Sequence, residues 1–375
     1  MVEGFDCYWY KNSLRCEYLA NKSIKEIPFA ASHVGSLPRP IRVQDMLPAL
    51  PGLSAVKASR SIEMDESVKY AIDLQEAAGL DLISDGEWRR HAYTHIIADI
   101  ASGFSQDTRP GRWGITVTDR LEVVRPGLIA DEAKFLIEST DKFTKVCVPS
   151  PYLLGIRLWS SDMSSKAYPT RESFIEAVVP ILHNEIVELE KTGVSVIQID
   201  EPHLCVLVDP KIRELFRDPE YEMNLAVSKI NEILYGIRNP VTAVHLCRRN
   251  WGRSGWGAEG GYEPILDSMK RINVDQYVME FSIPAAGDVA IIKELPDDSL
   301  IGLGCVECRF EKIDTVEEIV SRVEVALEYV DPDRISLNPD CGFSPGLKSQ
   351  VPLDEAFWKL KNEADAAAQL RDKYH

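Results

Sequence analysis

Short apolar runs alternate along this chain with longer stretches in which apolar residues recur every three or four positions. Eight runs stand out: FAASHV (29–34), LDLIS (80–84), KVCVP (145–149), VSVIQI (194–199), VTAVHLC (241–247), DQYVMEF (275–281), LIGLGCV (300–306) and RISLN (334–338). Short apolar runs rich in β-branched residues read as buried strands, and the longer periodic stretches read as helices. Residues 171–191 place Phe174, Val178, Ile181, Leu182, Ile186 and Leu189 on one helical stripe. Residues 315–330 do the same with Val316, Ile319, Val320, Val323, Leu327 and Val330, and Asp314 with Glu317 predicts an N-cap and its capping-box partner. This alternation predicts an α/β fold with a parallel sheet. Eight strands would close a (β/α)8 TIM barrel, although the count alone also admits an open doubly wound sheet.

The residues after each run separate these two architectures. HVGSLPRP, SDGEWRR, PSPY, IDEPHL, HLCRRNW, MEFS, CVECRF and NPDCGF follow the runs in turn, and each carries residue types capable of chemistry. A barrel gathers such residues at the C-terminal ends of all its strands, whereas an open sheet concentrates them at a switch point. The expectation is a single-domain barrel over residues 28–375. Residues 1–27 read as an N-terminal extension, and the segment around 103–130 as an insertion able to cover the mouth. At 375 residues, 45% of them hydrophobic, the chain is long enough for one such barrel.

Charge and cysteine usage narrow the function classes. A formal net charge of −17 argues against general affinity for nucleic acid or an anionic membrane, since either needs a basic face. The N-terminal residues lack the apolar core of a secretory signal, and no apolar run approaches the roughly 18–20 residues of a membrane helix. The eight cysteines therefore read as thiols or ligands in a reducing compartment, with the cytoplasm as the expected location.

His245 and Cys247 stand two apart at a strand end, so period two directs both side chains to one face. Glu280 ends the following run, and Cys341 follows the last. One imidazole, one carboxylate and two thiolates make a zinc set. Each has an ordinary explanation on its own: a buried thiol beside a histidine, an inert core cysteine, a paired carboxylate. Asp200–Glu201 likewise reads either as a substrate-facing pair or as an acidic pair matched by arginines. Gly35 permits close backbone approach. His33, Trp88, His91, Tyr93 and His95 are candidates for the pocket or for loop packing. Cys305 and Cys308 have redox spacing but no following helix N-terminus, so they read as spare thiols. The glycines of 252–261 lack a phosphate-loop signature. His183 sits mid-helix and reads as filler.

In order along the chain, HVGSLPRP (33–40), DLISDGEWRR (81–90), IQIDEP (197–202), HLCRRNWGRSGWGAEGGYEPI (245–265), YVMEF (277–281) and NPDCGF (338–343) resemble the catalytic barrel of cobalamin-independent methionine synthase. They resemble its stand-alone, single-barrel relatives more closely still. The resemblance runs from about residue 28 over nearly the whole chain. It implies a Zn²⁺ cofactor held by His245, Cys247, Glu280 and Cys341. It also implies an amino-acid thiol such as homocysteine near Gly35–Ser36, with Glu87 and Asp200 as the groups that orient it; His33, Trp88 and Glu201 join them as substrate-pocket candidates from their own positions after the strands. Two departures stand out. The chain has no room for the long synthase's N-terminal barrel, and Arg309 stands where that family carries a proton-transferring histidine. Both weigh against a methyltetrahydrofolate donor and leave thiol activation intact.

A zinc-dependent methyltransferase follows as the leading expectation: zinc lowers the pKa of a thiol and fixes the thiolate for attack on a methyl or alkyl donor. Methyl transfer to homocysteine, giving methionine, is the reaction implied. The alternative keeps the metal and adds the thiolate to an epoxide or activated alkene, or cleaves a C–S bond in reverse. A third reading, metal as a purely structural clip, leaves Glu87 and Asp200 without a purpose. The expected partners are a small thiol and an alkyl donor, with a homo-oligomer left open.

Overall fold

The computed structural model describes residues 23–47, 61–344, 346 and 351–375. Most of the expected N-terminal extension therefore lies outside the described residues. Nine strands are described: β1 Leu82–Ile83, β2 Ala101–Asp107, β3 Gly114–Val123, β4 Phe143–Pro149, β5 Val196–Asp200, β6 Val241–Leu246, β7 Gln276–Glu280, β8 Leu300–Val306 and β9 Ile335–Pro339. Seven of them form one parallel sheet in the order β1-β4-β5-β6-β7-β8-β9. Strands β4 to β7 are buried along their whole length. Helices cover the outer face and side chains fill the inner one, which is why these strands appear in the sequence as unbroken apolar runs.

The sheet curls into a ring, and the first apolar run closes it. Ala31 bridges in parallel to Leu337 of β9, and Ser32 bridges to Leu82 of β1. Residues 29–34 thus occupy the eighth position as two bridges rather than a full strand. Inside the lower ring, Leu82, Val196, Val241, Ala243 and Val278 pack together as an apolar plug. Register then aligns the upper ends of the strands, pairing Pro149 with Asp200, Asp200 with His245, and Glu280 with Gly304.

The long crossovers are helical, including α1 Ile62–Ala78, α2 Leu128–Ser139, α3 Pro151–Leu158, α4 Arg171–Glu190, α5 Pro219–Ile233, α6 Val316–Ala326 and α7 Leu353–Tyr374. Helix α4 matches the stripe over 171–191. Helix α6 begins one residue later than the Asp314 cap predicts. Its capping box is Thr315 with Glu318, the hydroxyl accepting from Glu318 N at 3.3 Å and the carboxylate from Thr315 N at 2.9 Å. Asp314 instead pairs with Lys312 at 3.1 Å and Arg322 at 3.2 Å.

The insertion around 103–130 holds β2 and β3, an antiparallel hairpin that the sequence reading did not resolve into strands. Asp107 pins its turn by accepting from the Arg109 side chain at 2.7 Å, Arg112 at 3.1 Å and Thr116 at 2.7 Å. That turn carries Trp113 over the open end of the ring. No helix among the described residues is long and apolar enough to cross a membrane.

Candidate metal centre and substrate cavity

His245 lies near the end of β6, Cys247 just beyond it, and Cys341 follows β9. All three are buried, and their ligand atoms lie within 4.8 Å of one another. His245 Nδ1 lies 3.2 Å from the Val278 carbonyl oxygen, so Nδ1 carries the proton and donates it there. The lone pair of Nε2 is left facing the thiols, and Nε2 is buried with no hydrogen-bond partner. Cys247 Sγ and Cys341 Sγ are 3.6 Å apart. Two sulfurs each about 2.3 Å from a shared tetrahedral centre would lie roughly 3.8 Å apart. An orphaned imidazole nitrogen aimed at two unbridged sulfurs at that spacing fits a zinc ion.

The same geometry couples the two thiols. A hydrogen bond from Cys341 holds Cys247 below the ordinary thiol range, and the shared proton pushes Cys341 above it. Burial acts to lower the His245 pKa, but the charge on Cys247 outweighs it and raises the imidazole. The site favours a thiolate already.

Glu280, the fourth expected ligand, ends the adjacent strand β7 but is engaged elsewhere. One oxygen accepts from Arg309 and the other from the Arg248 backbone N–H at 2.8 Å, with the Arg248 guanidinium at 3.5 Å. Arg309 is fully buried and also faces Asp340 at 3.6 Å and Glu307 at 3.2 Å. The structure thus brings three of the four expected ligands together and holds the carboxylate of the fourth to arginines. To ligate a metal, Glu280 must exchange them.

Above the trio opens a cavity of about 190 Å³, lined by Gly35, Ser36, Glu87, Asp200, His245, Cys247 and Cys341 among others. Glu87, Cys147 and Asp200 also present ligand atoms within 4.8 Å of one another. Burial pushes Glu87 up to about 7, with Arg90 opposing and Asp200 adding to the shift. Burial also raises Asp200, which accepts from Gln198 at 2.8 Å. Two buried carboxyls side by side without a full complement of cations suit an incoming ammonium group. Glu87 has a φ of 58°, left-handed for a non-glycine residue, and such strain persists where surrounding structure holds a functional group in place.

The other expected pocket residues divide. Tyr93 and His95 line the cavity. His33, Trp88, His91 and Glu201 are not among its lining residues. His33 is fully buried with Nε2 2.6 Å from the Ser84 hydroxyl. Trp88 donates to the Leu37 carbonyl at 3.3 Å. His91 stacks on His95 at 5.3 Å. Glu201 caps a short helix, accepting from the N–H groups of His203 at 2.9 Å and Leu204 at 3.1 Å. Cys305 and Cys308 are buried, and burial raises both thiols, as inert core cysteines require. His183 contacts the Ile233 carbonyl between helices at 3.1 Å.

Several lining residues were not singled out from sequence: Trp113, Arg157, Arg249, Asn250 and Trp251. Arg249 and Asn250 stand inside the HLCRRNW motif, so adjacence to a ligand was the available signal. Arg157 lies in the last turn of helix α3, and Trp113 in an insertion; neither carries a local mark of function.

Comparison with known proteins agrees with this architecture. Residues 29–369 match the family model described as cobalamin-independent synthase, catalytic domain. A methionine synthase from Pyrococcus horikoshii is 31% identical over 363 residues, covering 92% of this chain and 94% of its own. An uncharacterised protein of Bacillus subtilis, YxjH, is 25% identical over 363 residues, covering 92% and 95%. Among solved structures, a B12-independent methionine synthase from Shewanella superposes with a TM-score of 0.72 at 22% identity, covering 92% of this chain and 98% of the other. That likeness speaks to the fold.

Proposed function

We propose, from the premise that this chain belongs to the cobalamin-independent methionine synthase family, that it methylates the sulfur of homocysteine to give methionine. The observation that carries this reading is the buried His245, Cys247 and Cys341 trio at the base of a cavity whose wall bears Glu87 and Asp200. An amino-acid thiol needs a place for its sulfur and a receptor for its ammonium group, and the two lie in one cavity.

The residues that would hold Zn²⁺ are His245, Cys247 and Cys341, with Glu280 as the fourth. When bound, the ion supplies Lewis-acid stabilisation of a thiolate at neutral pH. The chain's own residues do the rest. Glu87 and Asp200 receive the substrate ammonium and so orient its thiol. Gly35 and Ser36 bring backbone and a hydroxyl to the same wall for the substrate carboxylate. The Trp113 turn of the β2–β3 hairpin and Trp251 border the mouth and restrict water. In the transfer, a sulfur lone pair forms the new S–C bond while the bond from the methyl carbon to its carrier breaks. The thiol proton leaves, and the carrier departs with the bonding pair.

Residues 28–375 act in this reading as the catalytic barrel, with residues 1–27 as an extension. Buried thiols that must stay reduced suit the cytoplasm. The test is to purify the chain with zinc and to follow methionine formation from homocysteine with methylcobalamin, a methylated folate and a panel of epoxides. Methionine formed only with a methyl donor supports the proposal. Thioether formed only from epoxides favours thiol addition and overturns it.

A further inference from the structure

We propose that Arg157 and Arg249 form a receptor for an oxyanion group (carboxylate, sulfonate or phosphate) on the alkyl donor, at the outer end of the cavity. The idea rests on the proposed function only in taking this cavity as the place where thiol and donor meet.

Arg157 projects from α3 and Arg249 from the loop after β6, and both line the cavity. They converge on one histidine. Arg157 Nε lies 3.2 Å from His203 Nε2, and Arg249 lies 2.8 Å from His203 Nδ1. A guanidinium can only donate, and a neutral imidazole offers one acceptor nitrogen, so the two contacts cannot both be hydrogen bonds at once. Burial, then Arg249 and Arg157, hold His203 in the neutral form, and protonation would remove even its one acceptor. Arg249 Nε is buried without any partner.

Neither arginine makes an ion pair with a carboxylate among the described residues. The nearby acids face other groups. Glu201 is held by the Ser150 hydroxyl and two backbone N–H groups. Asp200 is held by Gln198 at 2.8 Å, and Glu87 faces Arg90 at 3.6 Å. Two adjacent, largely buried guanidinium groups with one acceptor between them are electrostatically incomplete. An oxyanion completes them, because its oxygens accept from both forks.

The position assigns that oxyanion to the donor. Arg157 is clamped between the rings of Trp113, at 4.1 Å, and Tyr93, at 5.1 Å. Trp113 is 40% exposed and Trp251 is 52% exposed, so this end of the cavity is its rim. The proposed receptors for the thiol's polar groups are other residues of the lining, Gly35, Ser36, Glu87 and Asp200. Arg249 has a φ of 66°, a left-handed conformation costly for a side chain of this kind, and the loop keeps it aimed inward.

The test is calorimetric titration of the zinc-loaded full chain with phenyl phosphate and benzoate, against benzyl alcohol as the neutral control. The anions should bind at least about tenfold more tightly than the alcohol. Arg157→Gln and Arg249→Gln should each weaken the anions about tenfold or more without affecting the alcohol, and Arg157→Lys should restore part of the loss. Anion binding unchanged in both glutamine variants overturns the receptor; having two separate variants guards against one that fails to fold. Saturating homocysteine should leave anion binding intact. Displacement of the anions by homocysteine but not by 3-aminopropane-1-thiol, which lacks a carboxylate, overturns the assignment to the donor. If homocysteine itself does not bind while the anion responses persist, the methyltransferase reading fails and the receptor stands.

Discussion

Glu280, at the end of β7, and Glu87, in the turn after β1, are buried carboxylates, and their neighbours assign them opposite tasks. Glu280 is compensated by Arg309 and Arg248, so its charge is satisfied without a metal. Removing one partner of a buried pair typically costs about 3–5 kcal/mol, because the other charge is left uncompensated. Arg309→Met should therefore destabilise the metal-free chain by that order. It should also free Glu280 as a ligand, so added zinc should raise the unfolding temperature more in the variant than in the parent. Thermal unfolding with and without zinc measures this; equal zinc shifts would show that Glu280 never competes for the ion. Glu87 has the reverse problem. With burial lifting it to about 7, the folded chain holds its proton more tightly than the unfolded chain does. The stability this confers is complete below the ordinary carboxylate range and is lost as pH rises through about 7. An ammonium ligand needs the ionised form, so the KM for homocysteine should rise as pH falls below about 7, approaching tenfold per unit. Glu87→Gln should weaken binding and flatten that slope; a slope unchanged in Glu87→Gln would assign the titration elsewhere. The His-x-Cys pair was legible in the sequence because period two is local. The Arg309–Glu280 pair and the convergence of Arg157 on Arg249 were not, because each joins segments far apart in the chain.

At the level of elements, the apolar runs were readable to within a residue or two because β4 to β8 are buried on both faces. The capping residue of α6 was misplaced by one position since Asp314 and Thr315 are both good caps, and only the contacts of Asp314 with Arg322 and Lys312 decide between them. Thr315→Ala should cost about 1 kcal/mol in denaturant unfolding, in the usual range for a lost N-cap; no loss would return the cap to Asp314. The hairpin was recognised as an insertion but not as strands, because its outward face is exposed and its alternation is broken by a bulge between Ser102 and Phe104. The turn after β9 is a tighter constraint than its sequence suggests. A Cβ on Gly342 would come within 2.9 Å of the Ser36 backbone nitrogen and 3.1 Å of its hydroxyl. Gly342→Ala should push the neighbouring Cys341 away from Cys247 and lower zinc affinity by more than it lowers stability. Chelator competition read beside thermal unfolding separates the two, and unaltered zinc affinity would show that the turn tolerates the methyl group.

For the whole molecule, the barrel was visible as eight apolar runs, each followed by reactive residue types. Its closure was not visible in detail: residues 29–34 complete the ring through two bridges, on Ala31 and Ser32. An apolar plug fills the lower ring, and the strand register gathers Asp200, His245 and Glu280 at the opposite end. An acidic molecule of net charge −17 then keeps a local pair of arginines at that mouth, where long-range charge alone would repel an anionic donor. The central claim is that His245, Cys247 and Cys341 hold a zinc ion with room for a substrate sulfur. X-ray absorption at the zinc edge of the purified chain, before and after homocysteine, tests it most directly. The account predicts stoichiometric zinc with two protein sulfurs among its neighbours, a third sulfur when homocysteine is added, and loss of the metal in Cys247→Ser. A chain that binds no stoichiometric zinc, or a sulfur count that homocysteine leaves unchanged, would contradict it.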